Sequence, residues 1–318
     1  MSLPARSRTF VVALSVGAAV FGTITAAAAH DRWVQSYAPI VSVGQQAYVD
    51  VMLGNHGQDH QSYRLAGTLH RDDVQLRVID PRGHTYNLDA TVFSTGEADV
   101  VPPPGPKGYL SGAFVPVEAG LYTVTAVGEA VLQHGDGPAF RNLSLAKTVL
   151  AAGPDATLGT AGAWAPPEHL AALDRLELMP EVNSAALTPG AAIVLRALYQ
   201  NEPVAGLELS LIRRSTAESE VYETDAGGRV RFSAGAPDYY LVRAGFQDQS
   251  AVGDDFALTA YEATFTYIVQ HEPAGLRSAS GAPGPDQPWL WLLVGGITGI
   301  TAFLAGRAIG GPRGGESL

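Results

Sequence analysis

The sequence predicts an all-β fold, and three observations support that prediction. Apolar runs are short and are separated by clusters of turn-forming residues, which is the pattern of strands rather than of long helices. The 318 residues include 36 Gly and 21 Pro, which interrupt helices and favour turns. Hydrophobic residues make up 46% of the chain and charged residues only 16%, so enough apolar side chains are present to fill β-sandwich cores.

Residues 30–152 are predicted to form the first of two antiparallel β-sandwich modules. Its expected strands are Gln46–Leu53, Val74–Asp80, Tyr109–Val115, Gly120–Val127 and Ala146–Ala151. The segment Asp80-Pro81-Arg82-Gly83 predicts a turn between two strands. The segment Glu118-Ala119-Gly120, followed by an apolar strand, is typical of the turn-to-strand entry in immunoglobulin-like sandwiches. We therefore predict an immunoglobulin-like architecture for this module.

A second immunoglobulin-like module is predicted for residues 177–271, after a linker at residues 153–176. Its expected strands are Ile193–Tyr199, Glu208–Ile212, Val230–Phe232, Tyr239–Ala244 and Thr264–Val269. The segment Asp225-Ala226-Gly227-Gly228 precedes one of these strands and predicts a hairpin turn. Within the linker, leucines recur with near-helical spacing, which predicts a short helix over Pro167–Leu176.

Both ends of the chain predict export to the periplasm and attachment to the inner membrane. Residues 1–29 carry arginines, then an apolar run, then four alanines, which is typical of a cleaved signal peptide; the alternative is an uncleaved anchor. Residues 288–306 are apolar and uncharged, and they predict one C-terminal transmembrane helix. Arginines in residues 307–318 place that tail in the cytoplasm by the positive-inside rule. Residues 272–287, rich in Gly, Pro and Ser, are the expected tether.

The composition excludes several classes of function. The net charge of −11 lacks the basic footprint of a nucleic-acid-binding protein, so we expect no nucleic-acid partner. The absence of cysteine excludes thiol catalysis and cysteine-ligated metal sites. The sequence contains no phosphate-binding glycine loop, no HExxH motif and no Gly-x-Ser-x-Gly elbow, so we expect neither an enzyme nor an organic cofactor. A metal ion would have to be bound by histidine, carboxylate or backbone atoms.

His30 is the first candidate metal ligand because it lies at the predicted signal cleavage point. Cleavage after Ala29 would allow its α-amino group and its imidazole to chelate one ion together, as in a copper-binding histidine brace. Cleavage after Ala28 would instead supply an amine, an amide and an imidazole, three nitrogens suited to square-planar Ni²⁺ or Cu²⁺. The sequence leaves both cleavage positions open.

His56 and His60 are the second candidate, in the segment Asn55-His56-Gly57-Gln58-Asp59-His60. Two imidazoles four residues apart, with a carboxylate between them, can converge on one borderline-soft ion. The alternative is a solvated loop in which these histidines only occupy turn positions. The remaining histidines are expected in exposed turns or are assigned no role, and they are His70, His84, His134, His169 and His271.

Four segments of the exported body resemble one known family. They are His30-Asp31-Arg32-Trp33, Phe114–Tyr122, Leu176–Pro180 together with Leu187–Gly190, and Thr224–Phe232. The chain is similar in these segments to the NikM/NikK-like periplasmic components associated with nickel and cobalt uptake. The resemblance implies a metal-binding accessory component whose partners are the membrane components of a metal transporter. It also implies that His30 takes part in metal capture.

We therefore expect a membrane-anchored periplasmic protein that binds one transition-metal ion as cargo through His30, His56 and His60. The ion is Ni²⁺, Co²⁺ or Cu²⁺, and the sequence does not select among them. The alternative is a tethered β-sandwich interaction or structural protein without a metal cargo. A third hypothesis is a copper-dependent oxidative enzyme that uses the N-terminal brace, and no further cofactor motif supports it.

Overall fold

The structure is a computed structural model, and it describes residues 30–55, 64–65, 69–96, 108–133, 135–153 and 174–271. The predicted signal peptide, tether, transmembrane helix and cytoplasmic tail lie outside the described residues, as does most of the predicted linker. None of the helices within these ranges is both long and apolar enough to cross a bilayer.

The prediction of an all-β fold is confirmed. The described residues form strands and two single-turn 3-10 helices, Arg71–Asp73 and Asp89–Thr91, and they contain no α-helix. The strands before the linker are β1 Asp31–Gln35, β2 Ile40–Val41, β3 Ala47–Asn55, β4 Arg64–Leu65, β5 Val74–Ile79, β6 Thr85–Asn87, β7 Phe93–Gly96, β8 Gly108–Phe114, β9 Gly120–Leu132 and β10 Phe140–Ala152. The later strands are β11 Leu176–Pro180, β12 Ala192–Tyr199, β13 Glu202–Pro203, β14 Glu208–Arg213, β15 Ser219–Glu223, β16 Arg229–Ser233, β17 Asp238–Asp248 and β18 Thr259–Val269. Every strand expected from the sequence is present, and several are longer than expected.

Within the described residues the strands pair into three sheets. The amino-terminal sheet has the order β1-β3-β8-β7, with β4 paired to β3. The long sheet has the order β15-β14-β17-β18-β10-β9-β5-β6, with β2 paired to β10. The small sheet has the order β11-β12-β13, with β16 paired to β12. Neighbouring strands are antiparallel, except that β10 runs parallel to β18 and to β2.

The long sheet runs through both predicted modules. β10 belongs to the first and β18 to the second, and they pair from Arg141 opposite Thr259 to Thr148 opposite Thr266. One hydrophobic core lies between the amino-terminal sheet and the β5-β9-β10 part of the long sheet. A second lies between the small sheet and the β14-β17-β18 part. A smaller third cluster packs Trp33 and Met52 of the amino-terminal sheet against Ile212 of β14 and Leu241 of β17. The described body therefore consists of two β-sandwiches that share the long sheet.

β10 contributes side chains to both cores. Leu143 and Val149 pack with the small sheet, whereas Ala146 and Leu150 pack with the amino-terminal sheet. Side chains alternate between the two faces of a strand, so a strand inside two cores needs apolar residues at nearly every position. The second half of β10 is buried throughout, and its one cationic side chain there is Lys147.

A tyrosine hydroxyl ties a strand to the turn before it in each sandwich. Tyr122 donates to the carbonyl of Glu118 at 2.9 Å, and Tyr240 donates to the carbonyl of Ala236 at 2.8 Å. Each tyrosine lies near the start of its strand, four residues after the acceptor. This is the hydrogen bond of the tyrosine corner known from antiparallel sandwiches.

Two local predictions are wrong. Leu176 begins β11 instead of ending the predicted helix, because its side chain is buried in the core beside the small sheet. Residues 167–173 of that predicted helix lie outside the described residues. The turn at Asp225 forms, and the amide of Gly228 donates to the Asp225 carbonyl at 2.9 Å. It joins β15 to β16, however, which pair in different sheets and therefore form no hairpin. Just before this turn, the buried Thr224 donates to the carbonyl of Val204 at 2.7 Å.

Candidate functional site

His30 lies exposed at the start of the described body, directly before β1. β1 pairs antiparallel with β3, and Asp31 stands opposite Gly54. Continuing this register by one residue places His30 opposite Asn55, the residue before His56. β4 pairs back onto the same end of β3, with Arg64 opposite Asn55. The chain segment that carries His56 and His60 therefore starts opposite His30 and returns to β3 on the edge away from β1. Both histidines lie outside the described residues.

The residue after His30 is attached to the long sheet by an ion pair. Arg243 of β17 donates through Nη1 to both carboxylate oxygens of Asp31, each at 3.1 Å. The Asp31 side chain is buried and that of Arg243 is partly exposed. Hydrogen bonds between charged groups are stronger than neutral ones. This contact fixes the backbone immediately after His30.

Arg32 crosses the face of β9 and fills the space above Gly128. Its Nη1 donates to Ser144 Oγ at 2.5 Å, and a Cβ atom at Gly128 would lie 1.3 Å from that Nη1. Burial lowers the pKa of Arg32, and the nearby charges of Glu262 and Asp73 oppose that shift. Burial also raises the pKa of Glu262, against the charge of Arg32. The first two residues of β1 therefore enter a cluster of opposite charges formed by Asp31, Arg32, Arg243 and Glu262.

The other described histidines are His70, His84 and His271, and all three are exposed. His84 Nδ1 lies 3.0 Å from Asp80 Oδ2, and Asp80 also accepts hydrogen bonds from two backbone amides of its own turn. This contact stabilises the turn. His134 and His169 lie outside the described residues. Within the described ranges no group of three His, Asp or Glu side chains could hold a metal ion.

A metal site at His30 would therefore depend on its own backbone nitrogens and on donors from the segment that carries His56 and His60. The described part of the chain supplies the position of His30 and the anchoring of the two residues that follow it. Asp31 is engaged with Arg243, so its carboxylate already has a cationic partner.

Buried charged residues at two places in the fold were not predicted from the sequence. Lys147 of β10 and Glu177 of β11 form an ion pair with both side chains 1% exposed. Asp50 of β3 is also buried, on the face of the amino-terminal sheet opposite its core. Each interrupts an apolar strand at a single position, in β10 and in β3. That interruption is the sequence signal that could have identified them, because a lone charge in a buried strand needs a specific partner.

A cavity of about 10 Å³ lies beneath Tyr239 and is lined by Ser184 and Tyr267 among other residues. The Ser184 and Tyr267 hydroxyl oxygens are buried and have no hydrogen-bond partner among the described residues. This volume has room for one water molecule and none for an organic ligand.

Comparison with known proteins identifies a family and no assigned activity. Residues 27–248 match the model of DUF4198, described as a domain of unknown function. No curated protein matches the chain. Similar solved structures include a DUF4785 family protein from Legionella pneumophila, at 11% identity and a TM-score of 0.23, covering 67% of this chain and 50% of that one.

Two further structures are similar at the same low level. Salmonella alpha-2-macroglobulin reacted with methylamine is 14% identical, with a TM-score of 0.22, over 76% of this chain and 15% of that one. The adhesin InvE of Yersinia pseudotuberculosis is 13% identical, with a TM-score of 0.17, over 74% of this chain and 58% of that one. The chain thus spans about half the length of the Legionella protein and a small part of the macroglobulin.

Proposed function

We propose that this chain, which belongs to the DUF4198 family of domains of unknown function, is a periplasmic metal-binding accessory component of a transition-metal uptake system. The observation that supports this proposal is the register of β1 on β3. It places His30 beside Asn55, the residue that leads into the segment with His56 and His60. Three imidazoles and the N-terminal nitrogens can then approach one ion.

The chemistry of these donors favours a late first-row divalent ion. Imidazole and amine nitrogens bind Ni²⁺, Co²⁺ and Cu²⁺, and the chain has no thiolate to compete with them. The ion is cargo in this proposal, taken up outside the membrane and passed to membrane components of a transporter. The net charge of −11 favours the accumulation of cations near the surface.

The rigidity of the neighbouring residues supports the same proposal. The Asp31–Arg243 ion pair and the contact of Arg32 with Ser144 hold the start of β1 on the long sheet. A ligand on an anchored backbone loses less conformational freedom when a metal binds than a ligand on an unanchored terminus. His30 is therefore better suited to chelation than its exposure alone indicates.

The proposed location and finer fold follow from the sequence. We propose a cleaved signal peptide over residues 1–29, a C-terminal transmembrane helix over residues 288–306, and a cytoplasmic tail. The described body would lie in the periplasm. The tyrosine corners at Tyr122 and Tyr240 support an immunoglobulin-like plan for each sandwich.

Calorimetric titration of the processed full chain in detergent tests the metal proposal. N-terminal sequencing first establishes whether the protein starts at Ala29 or His30. We expect binding of one Cu²⁺ more tightly than Ni²⁺, and weaker binding as the pH falls through the histidine range near about 6.5. Extension by one or two residues before the native N-terminus should weaken binding, because it displaces the chelating amine.

Replacement of His56 and His60 by alanine should weaken binding further. His70→Ala is the matched control, because His70 is exposed and lies in a separate turn. That control should bind as the wild type does. If the processed chain binds none of the three ions at micromolar concentration, the metal proposal fails.

A second candidate function is a tethered interaction protein without metal cargo. The observation that favours it is a set of exposed aromatic side chains on the amino-terminal sheet and next to it: Tyr48 and Phe93 on its strands and Tyr37 just after β1. Aromatic residues are enriched at protein interfaces. Failure of metal binding together with recovery of a specific protein partner would select this candidate.

A further inference from the structure

The outer face of the amino-terminal sheet, opposite its core, is partly covered: Trp33 and Met52 on that face pack against Ile212 and Leu241 of the long sheet. Val49 and Val51 of β3 pack in the core, so the alternating residues Tyr48 and Asp50 point to the other side. Asp50 stands opposite Gln35 on β1 and opposite Ser111 on β8. Directly opposed residues of neighbouring strands share a face. The carboxylate of Asp50 therefore lies in the middle of the sheet's outer face.

Asp50 is a buried carboxylate whose negative charge is balanced by few neighbouring groups. The residue is 5% exposed, and Ser111 Oγ donates to its Oδ1 at 2.7 Å. Among the described residues no cationic side chain forms an ion pair with it. Burial raises the pKa of Asp50, and the hydrogen bond from Ser111 opposes that shift. A buried anion without a counter-ion is costly, so such a group points to a cation that binds from outside.

Aromatic rings surround the approach to this carboxylate. Tyr37 is 54% exposed and meets Tyr239 edge to face, with 5.9 Å between ring centroids and 67° between ring planes. The guanidinium of Arg214 lies 5.0 Å from the centroid of the Tyr239 ring. Burial raises the pKa of both tyrosines, and the charge of Asp50 contributes in each case. Both phenols are thus electrostatically close to Asp50.

We propose that Asp50, Tyr37 and Tyr239 form a binding site for an alkylammonium group, supplied by a lysine side chain of a partner protein. Aromatic faces attract cations, and a neighbouring carboxylate adds a direct charge partner. A lysine offers a compact charge on an apolar stem that can reach a recessed carboxylate between rings. Binding of an ammonium group would favour the charged form of Asp50, against the rise in pKa that burial causes.

Two observations favour a protein partner over a small amine. The exposed rings of Tyr48 and Phe93 continue the same face beyond the site, over an area that a small amine would leave uncovered. The chain carries a net charge of −11, which steers basic surfaces towards it. This site shares no residue with the metal site proposed at His30.

Nuclear magnetic resonance of the full processed chain, with isotope-labelled tyrosine rings and a metal chelator present, tests the proposal. The probe is a capped Gly-Lys-Gly peptide, and the matched peptide has norleucine in place of lysine. We expect saturable shifts of the Tyr37 and Tyr239 signals with a dissociation constant of about 1–10 mM. The norleucine peptide should bind at least about tenfold more weakly, because it lacks the charge.

Variants separate the role of the carboxylate from that of the fold. Asp50→Asn, nearly isosteric, should abolish the lysine-dependent shifts, whereas the exposed control Asp72→Asn should retain them. Tyr37→Ala alters an exposed side chain and should weaken binding at least about threefold, a result that stands even if Asp50→Asn misfolds.

Three outcomes would overturn the inference. They are equal binding of the norleucine peptide, unchanged binding in both variants, and an absence of shifts up to about 50 mM peptide. If butylammonium bound as tightly as the peptide, the site would recognise small amines, and the assignment of a protein partner would be overturned.

Discussion

Replacing Lys147 by methionine tests how the buried ion pair contributes to the fold. Both partners, Lys147 and Glu177, have side chains that are 1% exposed. Lys147 Nζ donates to Glu177 Oε1 and lies 2.8 Å from Met179 Sδ. Burial lowers the pKa of Lys147, while Glu177 opposes that shift. The charged ammonium group of Lys147 is therefore stabilised by the carboxylate of Glu177 and not by contact with water.

Lys147→Met keeps most of the side-chain volume and removes the charge that compensates Glu177. Loss of one member of a buried pair costs about 3–5 kcal/mol. For a body of this size that corresponds to a fall in Tm of about 6–20 °C. The double variant with Glu177→Leu removes both charges and should recover most of the loss, because apolar replacement of a whole buried pair is often close to neutral.

Urea unfolding followed by far-ultraviolet circular dichroism measures the free energy of unfolding of each variant. Arg231→Met is the matched control, since Arg231 is exposed on β16, and it should stay within about 0.5 kcal/mol of the wild type. A loss below about 1 kcal/mol for Lys147→Met would refute the reasoning. A double variant less stable than the single variant would refute it as well.

Three further predictions concern other positions. Asp50→Asn should stabilise the protein at about pH 7 and not below about pH 4. Burial raises the pKa of Asp50, so the wild type loses stability as the pH rises through that pKa and the variant does not. Thermal melts of both proteins across this pH range would detect the difference. Gly128→Ala should cost about 1–3 kcal/mol in urea unfolding, because the new Cβ occupies the position of Arg32 Nη1; a loss under about 0.5 kcal/mol would contradict this. Tyr122→Phe and Tyr240→Phe should each cost about 1 kcal/mol, and their effects should add because the two rings lie in different cores.

The strands that the sequence predicted each bury at least one face. Their apolar residues recur with the period of a strand, as in β3 and β14, and this pattern is local. Two buried strands, β1 and β11, were nevertheless missed, and the other unpredicted strands are short or exposed. β15 is polar and almost wholly exposed at the edge of the long sheet, and β13 has only two residues. Their strand conformation comes from pairing with a neighbour and not from their own composition.

The candidate metal ligands were predicted from chemistry, and their arrangement was not. Residue type and the position of the cleavage point selected His30, His56 and His60. That His30 lies beside Asn55 depends on the β1–β3 register, which no local pattern specifies. Asp50 and its aromatic neighbours were missed because Tyr239 lies in a different sheet, far along the chain from Tyr37.

Composition and local pattern were enough to predict the all-β class and the positions of the main strands, and to exclude thiol chemistry. These properties depend on composition and on short-range periodicity, which a linear sequence records directly. The parallel pairing of β10 with β18, which lets one sheet serve two cores, became known only from the folded structure. The same holds for the ion pair of Lys147 with Glu177 and for the hydrogen bond of Ser111 to Asp50. The physical reason is that these contacts join residues distant in sequence. Such contacts form only once apolar burial has brought the strands together, and burial specifies which faces meet without specifying which charges lie between them.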